Sequence, residues 1–209
     1  MAKRKHYSNG IFALETSYWY KDLTDRTSIR PVLSLLGESY LKMPYIFRDV
    51  ATKEEFLHFI GKWPQTKYQK SPKYPILYLG FHGEKESLCL GDGRMKMENR
   101  VVDLVDLAKE LKGKCKDKIV IFGSCSTFAT DGRRITTFLK KTGALATIGY
   151  RVDVGWFASA AFEMLLMGEL QTQQFTKSGV KKVRKEIDRQ FNRSGLKGDL
   201  GYRFIVSGE

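Results

Sequence analysis

The chain has 209 residues, of which 42% are hydrophobic and 12% aromatic, so it is not an intrinsically disordered polypeptide and suits a single domain with a sizeable core. Its three cysteines, Cys89, Cys115 and Cys125, are far apart and form no Cys-x-x-Cys pair, which argues against a disulfide framework and a zinc site and favours a reducing compartment. The formal net charge of +13 indicates either an anionic partner, nucleic acid above all, or a solvated basic surface.

No apolar run is long enough to cross a bilayer. The N-terminal stretch MAKRKHYSNG is basic but has no apolar segment behind it, unlike a secretory signal. We therefore expect a cytoplasmic protein that forms one domain over residues 1–209, with residues 1–10 as a flexible tail.

The first third of the chain predicts alternating strands and helices. In order, these are a strand at 11–14 followed by Glu15, a helix from Ser28 with Pro31 in its first turn, a strand at 45–47, and a helix opened by the capping box of Thr52 and Glu55. Residues 64–75 are polar and punctuated by lysine and proline, and they predict a loop.

The alternation continues to the end of the chain. The predicted elements are an apolar strand at 76–81, a short strand at 87–90 ended by a turn at 91–93, a helix over 101–111 ending at Gly113, an apolar strand at Ile119–Phe122, a helix capped by Asp131 and ended by Gly143, a strand at 144–150, an apolar helix at Trp156–Leu170, and a last strand at Tyr202–Val206. Before that last strand lies a basic helix with an apolar stripe of Val180, Val183, Ile187 and Phe191.

This order of elements predicts an α/β domain with a mostly parallel sheet flanked by helices. In open sheets of this kind, functional sites form at the carboxyl ends of the strands. Two strands end in reactive residues: one runs into His82 and Gly83, and the other runs through Gly123 and Ser124 into Cys125.

His82 and Cys125 each allow a purely structural interpretation, as a hydrogen-bonded histidine at a strand end and as a small buried hydrophobe. Together they indicate a catalytic pair, because neighbouring parallel strands would bring both side chains to one rim of the sheet. A thiolate is a competent nucleophile, and an imidazole can take and return a proton during acyl transfer. Glycines beside both residues permit close approach of a substrate.

Three stretches resemble the caspase-like cysteine proteases, and most closely their CHAT branch, which is related to separase. LYLGFHGEKESLCLGDG is similar to the His-Gly strand and following hairpin, IVIFGSCST to the cysteine strand, and GALATIGYRVDVGWFASAAFEMLL to the next strand, acidic loop and helix. The resemblance covers residues 74–170.

The resemblance implies a role for each matching residue. His82 would be the general acid and base, Cys125 the nucleophile, and the backbone N–H groups of Gly83 and Cys125 the oxyanion hole. Asp153 falls near the acidic residue that receives a basic substrate side chain in separase-like enzymes, although it could equally be a loop aspartate that caps the next helix. Glu15, at the end of the first strand, is a second candidate for that pocket.

The match to the caspase-like pattern is incomplete around the nucleophile. Gly123 and Ser124 replace the caspase Gln-Ala pair, Ser126 replaces the glycine after the cysteine, and Gly123 stands where metacaspases have an aspartate. These changes affect the expected substrate preference more than the expected dyad.

The favoured hypothesis is a cysteine endopeptidase in a regulatory or defence role. It would cut a protein or peptide substrate after Arg or Lys, through a thioester acyl-enzyme and without metal or cofactor. A regulatory partner protein could control its activity. The alternatives are a catalytically silent caspase-like binding module and a basic nucleic-acid-binding α/β protein. Of the other cysteines, Cys89 is expected to be packed in a short strand and Cys115 to be exposed in a lysine-rich turn.

Overall fold

A computed structural model describes residues 6–16, 27–65, 74–91, 93–194 and 196–209. The strands are β1 Ile11–Glu15, β2 Tyr45–Asp49, β3 Ile76–Gly80, β4 His82–Glu84, β5 Ser87–Cys89, β6 Val101–Asp103, β7 Ile119–Phe122, β8 Ala146–Tyr150 and β9 Tyr202–Val206. The helices are α1 Arg30–Glu38, α2 Lys53–Lys62, α3 Met97–Arg100, α4 Leu104–Glu110, α5 Gly132–Thr142, α6 Trp156–Leu170, α7 Lys177–Ser194 and α8 Leu196–Leu200.

The central sheet has six strands in the order β2-β1-β3-β7-β8-β9. The first five are parallel, and β9 runs antiparallel to β8. This confirms the predicted fold class of a single α/β domain with a mostly parallel sheet. The strands β3 and β7 are direct neighbours, with Leu79 opposite Phe122 at the last pair of their register.

Helices cover both faces of the sheet, and β1, β3 and β7 are accordingly buried at every position. Tyr78 and Ile121 belong to one core cluster, which includes buried residues of α1, α6 and α7. Leu79 and Phe122 belong to the other, which includes buried residues of α2, α4 and α5. Alternate residues of each strand therefore pack into the core clusters on opposite faces of the sheet, as the two-residue period of a strand requires.

A second, antiparallel sheet of order β4-β5-β6 lies beside the carboxyl end of β3. Here the predicted helix over 101–111 is wrong at its start, because Val101 pairs with Cys89 and the helix begins only at Leu104. Strand pairing outweighs the helical spacing of these apolar residues. The N–H of Leu104 then donates to the Glu86 carbonyl at 2.8 Å.

The predicted helix boundaries hold where the chain carries a cap. The capping box of Thr52 and Glu55 is present at the start of α2. The Asp131 side chain accepts from the Arg133 N–H, and Gly143 ends α5 in the left-handed conformation with φ of 74°. The four apolar stripe residues of α7 are all buried.

The N-terminal segment and the turn that holds Cys115 both contact the rest of the domain. Residues 6–10 of the predicted flexible tail are held against the end of α6, where the Asn9 N–H donates to the Gln171 side chain at 2.8 Å; residues 1–5 lie outside the described part. Cys115 is buried rather than exposed, because its turn folds against the end of α5 and its N–H donates to the Thr142 carbonyl at 3.0 Å. Most of the predicted loop at 64–75 (residues 66–73) also lies outside the described residues.

Among the described helices, none is both long enough and apolar enough to cross a membrane.

Candidate active site

His82 and Cys125 reach the same edge of the central sheet from neighbouring strands. His82 is the first residue of β4, two residues beyond the end of β3, and is exposed. Cys125 is three residues beyond the end of β7 and is half-buried. Both side chains line the same two cavities, one of about 560 Å³ and one of about 200 Å³. A substrate at this edge would contact both.

Gly83 brings the histidine and cysteine segments into direct contact. A Cβ at this position would lie 1.9 Å from the Cys125 carbonyl oxygen and 2.4 Å from the Thr127 Oγ1 atom. No side chain fits at such distances, so the close approach requires glycine. The spacing between the two segments therefore depends on the residue that follows His82.

The Cys125 thiol lies against the backbone of the loop between β8 and α6. The Val154 N–H donates to Sγ at 3.5 Å, and the Val154 carbonyl lies 3.8 Å from the same sulfur. Among the described residues, nothing accepts a hydrogen bond from the Cys125 backbone N–H. That donor is thus available to a bound group.

The other two thiols have environments that suppress reactivity. Cys89 is buried, as expected from its alternation with leucines, and burial raises the pKa of its thiol. Burial raises the pKa of the Cys115 thiol to about 12. Since the thiolate is the nucleophilic form, Cys125 is the best placed of the three to react.

Ser126 has φ of 53°, a left-handed conformation that favours glycine. Two hydrogen bonds hold it there: its N–H donates to the Val152 carbonyl at 3.1 Å, and its hydroxyl donates to Asp153 Oδ1 at 2.7 Å. Asp153 therefore connects its own loop to the cysteine loop. It does not cap α6, whose N-cap residue is Gly155.

The smaller cavity contains two carboxyl groups, and Asp153 is not among its lining residues. Glu15, at the end of β1, accepts hydrogen bonds from the Ser28 hydroxyl at 2.6 Å and the Ile29 N–H at 2.9 Å. Glu163, on α6, accepts from the hydroxyls of Tyr78 at 2.9 Å and Tyr150 at 3.0 Å. Of the two sequence-predicted acidic residues, only Glu15 lines this cavity.

Both carboxyl groups hold their protons more tightly than exposed glutamates do. Burial raises the pKa of Glu15 to about 7 and that of Glu163 to about 8, against the opposing effect of their hydrogen bonds. Charge repulsion by Glu15 also raises the pKa of Glu163. Burial and charge repulsion by Glu163 together raise the pKa of the Tyr78 and Tyr150 hydroxyls. A cation that enters this cavity would meet two carboxyl groups able to ionise near neutral pH.

Glu163 is not among the site residues predicted from the sequence. One signal was available, because it is one of only two acidic residues in the strongly apolar helix WFASAAFEMLLMGEL, and it is 2% exposed. A buried charge is costly unless it has partners. An acidic residue within such a helix therefore indicates a polar site that faces it.

The larger cavity lies along the hairpin of β4 and β5. Its lining residues are His82, Gly83, Glu84, Cys89, Gly91, Gly93, Arg100, Cys125 and Asp153. In the described part of the chain, no group of three His, Cys, Asp or Glu side chains is arranged to hold a metal ion.

Residues 8–190 match a family described as a family of unknown function, DUF6642. No curated protein matches the chain.

Proposed function

The chain belongs to the DUF6642 family, whose function is unknown, and we propose that it is a cysteine endopeptidase with His82 and Cys125 as its catalytic pair. The observation that carries this proposal is that both side chains lie at the ends of adjacent parallel strands and line the same two cavities. The sequence resemblance to caspase-like proteases of the CHAT branch supports the same assignment. The proposed setting is a cytoplasmic regulatory or defence role with a protein or peptide substrate.

The chemistry needs no group beyond the chain and water. His82 takes the proton from the Cys125 thiol, and the thiolate attacks the substrate carbonyl carbon. The carbon–nitrogen bond breaks, the leaving amine receives the proton from His82, and a thioester to Cys125 remains. Water, deprotonated by His82, hydrolyses the thioester and regenerates the thiol. The Cys125 and Gly83 backbone N–H groups are the proposed donors to the oxyanion.

The smaller cavity is the proposed binding site for the residue before the cut bond. Its volume of about 200 Å³ is less than the roughly 300–1,000 Å³ of small-molecule pockets, so it suits one side chain. Because a buried cation needs a carboxylate partner, Glu15 and Glu163 favour Arg or Lys as the substrate side chain in this cavity. Asp153 does not line this cavity, and its proposed role is to position the loop that contacts Cys125.

The first test is covalent labelling with a peptidyl chloromethyl ketone that carries arginine next to the warhead. The parent protein and the Cys89→Ala control should be labelled at Cys125, whereas Cys125→Ala should not be labelled. His82→Ala should lower the labelling rate by about 10²-fold or more, since general acid–base groups contribute about 10²–10⁴-fold. Labelling of Cys89 or Cys115 in place of Cys125 would contradict the assignment, and a catalytically silent module would give no peptide hydrolysis.

The second test is a peptide library that varies the residue before the cut. Glu15→Gln and Glu163→Gln should each lower cleavage after Arg and Lys by about 10-fold or more, since a charge-assisted hydrogen bond is worth roughly 1.5–3 kcal/mol. Cleavage after neutral residues should change little, and Asp153→Asn should keep the basic preference. A parent preference for Leu or Asp, unaltered in both glutamine variants, would remove the acidic-pocket proposal and leave the dyad standing.

A further inference from the structure

Arg100 occupies the larger cavity beside the catalytic pair and has no role in the chemistry above. It is the last residue of α3 and precedes β6 directly. Its carbonyl accepts from the Leu90 N–H at 2.8 Å, which fixes the backbone next to the β5 strand. Its side chain lines the 560 Å³ cavity together with His82, Gly83 and Cys125.

The guanidinium of Arg100 is poorly satisfied by the protein. Its Nε atom is buried and lacks a hydrogen-bond partner among the described residues. Among the described residues, the hydrogen-bond acceptor of its Nη2 nitrogen is the Met97 sulfur, at 3.6 Å, and thioether sulfur is a weak acceptor. A buried donor without a partner is unfavourable, so this side chain can bind an acceptor that the described residues do not supply.

We propose that Arg100 forms a subsite for a carboxylate of the substrate. This carboxylate belongs to the segment on the amine side of the cut bond, which is the first product to leave. This inference rests on the proposed endopeptidase function. His82 must be near the leaving nitrogen to protonate it, and the hairpin that begins with His82 forms one wall of the larger cavity. The departing segment therefore runs past Arg100. A planar guanidinium pairs with a carboxylate through two parallel hydrogen bonds.

The other charged groups of the cavity limit how much acid it accepts. Glu84 and Asp153 also line it. The Asp153 carboxylate accepts from the Ser126 hydroxyl, and Glu84 is exposed. Neither forms an ion pair with Arg100. The site thus suits one Asp or Glu within the first two residues after the cut, and not an acidic run.

The test compares fluorogenic peptides that carry arginine before the cut and either Glu or Gln at each of the next two positions. The parent enzyme should cleave the better-placed Glu peptide about tenfold more efficiently in kcat/KM than its Gln partner. Arg100→Gln should remove that preference, and Arg100→Lys should keep part of it. Arg133→Gln, which removes one exposed charge outside the cavity, should retain it in full. Glu84→Gln should increase it.

Binding of the same peptides to Cys125→Ala, followed by fluorescence anisotropy, separates this inference from the proposed function. Equal cleavage of Glu and Gln peptides at both positions overturns the Arg100 subsite and leaves the endopeptidase standing. A preference that survives Arg100→Gln also overturns it. If the parent cleaves neither peptide while Cys125→Ala binds the Glu peptide about tenfold more tightly, the endopeptidase is overturned and the Arg100 subsite is supported. Equal binding in that case overturns both.

Discussion

Ser126 occupies a backbone conformation that usually belongs to glycine, directly after the proposed nucleophile. A left-handed residue other than glycine costs roughly 1–2 kcal/mol. The hydroxyl of Ser126 offsets this cost by its hydrogen bond to Asp153. The same bond holds the loop whose Val154 N–H faces the Cys125 sulfur, so one side chain both permits the turn and positions the thiol.

Replacement of Ser126 should separate these two effects. Ser126→Ala keeps the strained conformation and loses the hydrogen bond, so the free energy of unfolding should fall by about 1–2 kcal/mol and the rate of thiol alkylation should fall several-fold. Ser126→Gly loses the bond but relieves the strain, and its stability should stay within about 0.5 kcal/mol of the parent. Urea unfolding measures the free energy of unfolding, and iodoacetamide kinetics measure the rate of thiol alkylation.

Asp153→Asn is the matched control for this interpretation, because its Oδ1 can still accept from Ser126. It should behave like the parent in both measurements. If Ser126→Ala equals the parent, or if Asp153→Asn is impaired as strongly as Ser126→Ala, the hydrogen bond does not position the thiol.

At the scale of elements, the site depends on the close passage of β4 across the cysteine loop. Gly83→Ala would place a methyl group 1.9 Å from the Cys125 carbonyl oxygen. We expect a loss of about 3 kcal/mol in the free energy of unfolding, since overpacking of a rigid backbone contact is costly, and a loss of labelling at Cys125. Thermal melts and covalent labelling test this.

A second glycine provides the control for that substitution. Gly61 lies within α2, and a Cβ there would have no neighbour within 4 Å. Gly61→Ala should raise the free energy of unfolding by about 0.5–1 kcal/mol and leave labelling unchanged. If Gly83→Ala were as stable and as reactive as Gly61→Ala, the proposed dependence of the site on that contact would be wrong.

The elements that could be predicted from the sequence are those whose signals are local. The strand β7 is a continuous apolar run, α5 has a cap at each end, and α6 has an apolar surface on most sides; all three have the predicted bounds. The three-residue strands β4 and β6 exist only through pairing with β5, and no local pattern indicates them.

The same distinction explains what could be predicted of the site. His82 and Cys125 stand out because each follows an apolar strand, and strand order then brings them together. Glu163 lies 81 residues beyond His82 and joins the site only because α6 packs across the sheet next to Tyr78. The burial of Cys115 could not be predicted, because nothing local in its lysine-rich turn indicates the contact with the end of α5.

At the scale of the whole molecule, the two carboxyl groups of the smaller cavity lie beside the core cluster that contains Tyr78. Glu163 is 2% exposed, Glu15 is 8% exposed, and both have a raised pKa in the folded protein because of burial. The unfolded chain gives up these protons near the ordinary glutamate pKa of about 4.3. At pH values between the ordinary glutamate pKa and these raised pKa values, the folded state therefore binds more protons than the unfolded chain. The free energy of unfolding consequently depends on pH in that range.

The direction of this dependence is opposite to that of a salt-bridged carboxylate. The favourable contribution is fully present below pH 4 and is lost as the pH rises through about 7 for Glu15 and about 8 for Glu163. We expect the free energy of unfolding to fall by a few kcal/mol between pH 5 and pH 9. In Glu163→Gln the fall should be about half as large, because a neutral amide replaces one of the two carboxyl groups and the contribution of Glu15 remains. Urea unfolding at pH 5, 7 and 9 measures this difference, with Glu110→Gln on the exposed end of α4 as the control that keeps the parent slope. Parallel curves for the parent and Glu163→Gln would mean that Glu163 stays ionised in the folded protein throughout this range, held by the hydroxyls of Tyr78 and Tyr150.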